Sequence, residues 1–269
     1  MPPRRIRAYG PRQGKPSAGR AWVVGLLGGV MIICLLGGAY WRRAVTLQLD
    51  ATSLCPVAGP SAVNAILIDQ SDPISPLQIQ RLSQILDQTI EEASVGERID
   101  LYVLAHDSLQ SVAPIISLCR PKSEGNMFYE NPKKVHERYI ERFRTPLDVT
   151  LKALTTATES DISPIMESIK AVCVSAFGTM PKDTPARLLV VSDMIQNSKV
   201  LNQYKQRDFD IFVRSPGYAE VLADCHRASV SVLYLLRPRD QRVQDRMHQL
   251  FWEKFFDHEN AFLKRMEAI

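Results

Sequence analysis

Val63-Asn-Ala-Ile-Leu-Ile-Asp69-Gln70-Ser71-Asp72-Pro73 decides the reading of this chain. Six residues, mostly apolar and partly β-branched, run straight into an acid and a polar turn, as a strand buried on both faces of a parallel sheet does. Working outward, the same pattern returns at Arg187-Leu-Leu-Val-Val-Ser-Asp193 and, without the acid, at Val230 to Leu236. Amphipathic segments lie between these runs. Ser75-Pro76 opens the first, with Leu82, Ile85, Leu86 and Ile90 at helical spacing and Gln78 placed to close a capping box. Asn131-Pro132, Ser163-Pro164 and Ser215-Pro216 repeat the Pro-led entry. Strand and helix in alternation predict an α/β fold with a doubly wound, mostly parallel sheet.

Some elements depart from that alternation. Arg98 to His106 and Ser111 to Cys119 are two apolar runs joined by a short polar turn, which predicts one antiparallel edge strand. A long helix is expected from Asn131 to about Thr156, bent at Pro146. Another is expected from Pro216 to Ala228. The last helix is read from about Arg239 to the C-terminus, with 241–269 as an amphipathic segment. Its Phe251, Trp252, Phe255, Phe256 and Phe262 divide between the domain and a partner, or all pack on the domain's own sheet.

The N-terminal part is different in kind. Residues 21–41 carry no charge and give about 31 Å of helix, enough for one transmembrane span, with Trp22, Tyr40 and Trp41 at its ends. A cleaved secretory signal is the alternative, with Gly37 and Ala39 near a cleavage site, but the run is long and Arg42 and Arg43 follow at once. Six basic residues precede the span, so residues 1–20 read as a cytoplasmic tail and the rest as a periplasmic or extracellular domain reached through a linker at 42–62. The formal charge of +4 is an artefact of this tail. Beyond residue 43 there are 25 basic and 29 acidic residues, a balance that argues against nucleic acid as partner.

Cysteine usage bears on the compartment. Cys55 and Cys119 fall in loop-like sequence and could pair under oxidising conditions, whereas Cys173 and Cys225 fall in predicted helices and read as buried thiols. There is no Cys-x-x-Cys pair, no Gly-x-Ser-x-Gly elbow, no Walker loop and no Gly-x-Gly-x-x-Gly cradle. His106 beside Asp107 reads as a surface turn. No enzyme activity is expected.

Chemistry, if present, belongs to the loops beyond the carboxyl ends of the strands, where open parallel sheets bind ligands. Asp69, Ser71 and Asp193 end two central strands, and Glu159-Ser160-Asp161-Ile162-Ser163 leads into the helix between them. Hard oxygen donors of this kind suit Mg²⁺ or Mn²⁺. Alternatively, such residues cap the next helix or close a turn, the reading preferred for Ser75 and Ser163.

The element order and these loops resemble the von Willebrand factor A (vWA) superfamily over residues 63–240. That resemblance implies a metal-ion-dependent adhesion site. Asp69 and Ser71 match the first two residues of its Asp-x-Ser-x-Ser motif, Ser160, with Asp161 beside it, stands where a Thr is expected, and Asp193 matches the last Asp. Pro73 replaces the second Ser, and Met194 stands where Gly is usual. The expected function is a membrane-anchored protein-binding module of a multi-protein system, with a partner acid completing the cation's coordination. A metal-free scaffold subunit of an envelope or defence assembly, which a homo-oligomer would also suit, is the alternative.

Overall fold

The computed structural model describes residues 27–38, 48–104, 113–128, 130–154, 160 and 162–269. Two compact units are separated at residue 47, and Gln48–Ile269 is one of them. In the other, residues 27–38 form an exposed helix of roughly 18 Å. Among the described residues no helix is long and apolar enough to cross a membrane. The rest of the span expected at 21–41 lies outside the described residues, as do His106 and Asp107.

Gln48–Ile269 is built on a six-stranded sheet. The strands are β1 (Val63–Ile68), β2 (Arg98–Val103), β3 (Ile116–Cys119), β4 (Ala186–Ser192), β5 (Ser229–Tyr234) and β6 (Phe262–Ala268), ordered β3-β2-β1-β4-β5-β6. β3 is antiparallel to β2, and all other neighbours are parallel. The chain leaves β1 towards β2 on one side and later returns to lay β4 on the other. The topological switch point therefore lies between β1 and β4, where the loops that follow them diverge.

Each helix covers a face for a reason legible in its sequence. α1 (Pro76–Glu92) starts from the Ser75–Gln78 capping box and buries Leu82, Ile85, Leu86 and Ile90. Gly96, with φ +87°, makes the tight return into β2 that a Cβ would strain. α2 (Pro132–Tyr139) is capped by the Asn131 side chain and continues through a π-turn at Ile140–Arg144 into α3 (Thr145–Leu154). Pro146 therefore sits in the first turn of a new helical segment instead of bending one long helix. These helices share one face of the sheet with α1. α4 (Ile165–Val172), α5 (Phe209–Phe212), α6 (Pro216–Val221) and α7 (Arg246–His258) cover the other.

Several expectations are corrected. α6 ends at Val221, because Leu222 is extended and His226 and Arg227 take positive φ. The final helix ends at His258, and the chain then returns as β6, parallel to β5 with a register shift at Val230/Ser231. All four large aromatics of α7 (Phe251, Trp252, Phe255 and Phe256) are buried in the domain's own core. Cys173 and Cys225 form a disulfide, and so do Cys55 and Cys119. Two disulfides fit a domain that folds in an oxidising, extracytoplasmic compartment.

Candidate functional site

The carboxyl ends of β1 and β4 bring Asp69 and Asp193 together, both buried. Asp69 is fixed by β1, whose ladder continues as Asp69 N–H donates to Val191 O at 2.9 Å. Its Oδ1 accepts from the Ser71 N–H at 2.9 Å, and its Oδ2 accepts from the hydroxyls of Ser192 at 2.8 Å and Ser163 at 3.3 Å. Both oxygens are thus engaged by short-range donors. Contrary to the expectation that Ser163 caps the helix, Pro164 is the cap residue of α4, and the Ser163 hydroxyl turns to Asp69. Ser160 donates its N–H to Ser71 O at 3.0 Å, but its hydroxyl closes its own turn with Ile162. Asp161 lies outside the described residues.

Asp193 accepts from the Ile195 N–H at 2.9 Å through Oδ1 and faces the Arg237 Nε at 3.4 Å through Oδ2. Burial pushes its carboxyl well above the usual range, with the Asp69 charge adding to this; the Ile195 N–H and Arg237 oppose it. Arg237 is the residue that sequence reasoning missed. Its side chain is only 10% exposed, and its Nη1 donates to the Pro73 carbonyl at 2.5 Å. One guanidinium thereby joins the loop after β1 to the loop after β4. Arg239, two residues on, pairs with Asp72 and Asp240 at the surface. The only signal in the sequence was an Arg-Pro-Arg run directly after a strand, next to loops rich in acids.

Met194 is held in the left-handed region, φ 60°, at the position the adhesion motif gives to Gly. Three bonds fix it there. Its N–H donates to Ser192 Oγ at 2.8 Å, while its carbonyl accepts from Trp252 Nε1 at 2.8 Å and His248 Nε2 at 3.0 Å. His248 Nδ1 lies 2.7 Å from the Tyr234 hydroxyl. Because Nε2 faces the Met194 and Gln203 oxygens, the proton sits on Nε2 and Nδ1 accepts from Tyr234. Burial pulls the pKa of His248 down to about 4, so the ring is neutral at physiological pH.

Five large apolar side chains are exposed on the elements that border this centre. They are Leu77 at the start of α1, Ile162 before α4, Tyr204, Leu236 after β5 and Met247 in the first turn of α7. Gln78 Nε2 reaches Leu236 O at 3.4 Å, which joins two of these elements directly.

No protein-family model matches the chain, and no curated protein matches it. Solved structures with a related course include an aerotolerance-related membrane protein from Bacteroides fragilis NCTC 9343 bearing multiple mutations to serine. It is 9% identical, with a TM-score of 0.41 over 77% of this chain and 91% of that one. The VWA domain of SpRpn10 is also 9% identical, with a TM-score of 0.39 over 77% of this chain and 87% of that one. The α/β class rests on the strand order itself, a mostly parallel sheet with β3 antiparallel at one edge.

Proposed function

We propose that the chain is a non-enzymatic protein-binding module, anchored by residues 21–41, that docks a partner on its strand-end face with Arg237 in place of a divalent cation. The observation that carries this is a buried Arg237–Asp193 centre bordered by exposed Leu77, Ile162, Tyr204, Leu236 and Met247. Exposed apolar groups around a rigid polar centre suit protein association. The residues do not fit a hydrated Mg²⁺ or Mn²⁺: both Asp69 oxygens already accept hydrogen bonds, Asp193 faces a guanidinium, and Pro73 offers no side-chain oxygen. A fixed internal cation ties the two loops together without any coordination site left for a partner carboxylate. The partner then binds by shape and apolar contact.

The test is site-specific photocrosslinking of the full chain in its native membranes, with the probe at Tyr204 or Leu236 and, as control, at Lys133. Adducts from the first two positions only, unchanged by EDTA, are the expected result. Loss of those adducts with EDTA and their return with Mn²⁺ would reinstate the cation-completed mode. Adducts from Lys133 alone would remove the strand-end face from consideration.

A further inference from the structure

β6 is an edge: among the described residues its one strand neighbour is β5. Its backbone phase is set by two bonds. Ile269 N–H donates to Tyr234 O, and Ile269 O accepts from Leu236 N–H, so residue 269 faces inward. By alternation, Arg265 and Glu267 also turn their backbone groups to β5, and Met266 and Ala268 turn theirs outward. Side chains alternate too. Arg265 and Glu267 lie on the α1 face, where Glu267 pairs with Arg81, and Met266 packs on the opposite core.

We infer that this edge pairs with a second copy of the chain, antiparallel, about a two-fold axis through Met266, joining two six-stranded sheets into one. In an antiparallel pair, residues directly opposite share a face, and a two-fold perpendicular to the sheet keeps each face on its own side. The axis must then pass through a residue. An axis at Arg265 sets Arg265 against itself, and one at Glu267 sets Glu267 against itself. The axis at Met266 sets Arg265 opposite the second copy's Glu267, twice by symmetry, and Met266 against Met266. It also aligns the outward backbone groups of Met266 with each other, as a hydrogen-bonded pair requires. Within one chain Arg265 meets Glu267 at 3.5 Å and is about half exposed, so it is free to turn to the cross-strand pairing, in which the Glu267 carboxylate is shared between Arg81, at 2.6 Å, and the second copy's Arg265. The inference is independent of the strand-end reading, because β6 uses a different edge of the sheet.

The test is sedimentation equilibrium of the full chain in detergent, with Cys34→Ser to remove the free thiol. Arg265→Glu, which places four acids at the axis, is expected to weaken dimerisation about tenfold or more. Arg265→Glu with Glu267→Arg is expected to restore it. Met266→Cys is expected to cross-link to itself with a short bismaleimide. A monomeric parent at roughly 100 µM, or a dimer indifferent to the charge swap and without the Met266→Cys cross-link, overturns the inference. Near-ultraviolet circular dichroism matching the parent separates lost pairing from lost folding.

Discussion

The two ends of the sheet are held by different chemistry. At the amino end, Cys55–Cys119 ties the entering segment to the end of β3, and Cys173–Cys225 ties the end of α4 to the turn before β5. The polar group there, Asn64, Glu97 and Arg187, opens on a cavity of about 290 Å³, and Arg187 is half exposed. At the carboxyl end there is no disulfide among the described residues, and the loops are joined by Arg237, buried hydroxyls and the Met194–His248–Trp252 network. A covalent end resists change whatever the solvent does. An end joined by a desolvated charge is rigid only while every partner is in place. The proposed binding face thus lies where stability is most sensitive to a single side chain.

The sharpest way to break this contrast is Arg237→Ala. Removing one partner of a buried pair is expected to cost about 3–5 kcal/mol in chemical unfolding. The loss grows with pH, because the Asp193 carboxyl is raised in the folded state: its stability contribution is present at low pH and fades as the group ionises. A loss below about 1 kcal/mol, flat from pH 5 to 8, would mean that the guanidinium does not join the loops. Next comes Cys173→Ala with Cys225→Ala, expected to cost about 2–4 kcal/mol and to leave any strand-end crosslink unchanged. Equal loss of the crosslink would show that the two ends are coupled.

Glu259, at the amino end, probes pH. It is fully buried, accepts from the Ala223 N–H at 2.7 Å, and has its pKa pushed up to about 8 by burial. The folded protein keeps it protonated at low pH and loses stability as pH rises from the usual carboxylate range through about 8. Glu259→Gln should flatten that limb and be more stable at pH 8.5 by on the order of 1 kcal/mol, after allowance for partial screening. The smallest effect is expected for Arg187→Ala, about 1 kcal/mol, since Arg187 is half exposed and water can take its place beside the buried Glu97. A larger cost would mean that the amino end also depends on a single charge.

The alternation, the antiparallel edge and the convergence of Asp69 with Asp193 were legible because each is written in short apolar runs that end in a conspicuous residue. Cys55–Cys119 was legible as one of two outcomes, since both cysteines lie in loops. Cys173 and Cys225 misled because a helical context favours a buried thiol, and nothing local announces that α4 ends against the turn before β5. Arg237 could not be read, because its partners Asp193 and Pro73 lie 44 and 164 positions away. β6 was hidden for a different reason: Lys264, Arg265 and Glu267 in an edge strand with a bulge carry no apolar alternation, and they follow an aromatic helix whose pattern invites continuation.

The Cys55–Cys119 bridge also sets a mechanical load path. A pull arriving from the segment before Leu54 divides at Cys55, one branch entering β1 and the other the far end of β3. Both enter at the amino end of the sheet. If the resisting grip is on the strand-end face, tension runs along the strands and loads the β1–β2 and β1–β4 ladders in shear, many bonds at once, instead of peeling an edge strand bond by bond.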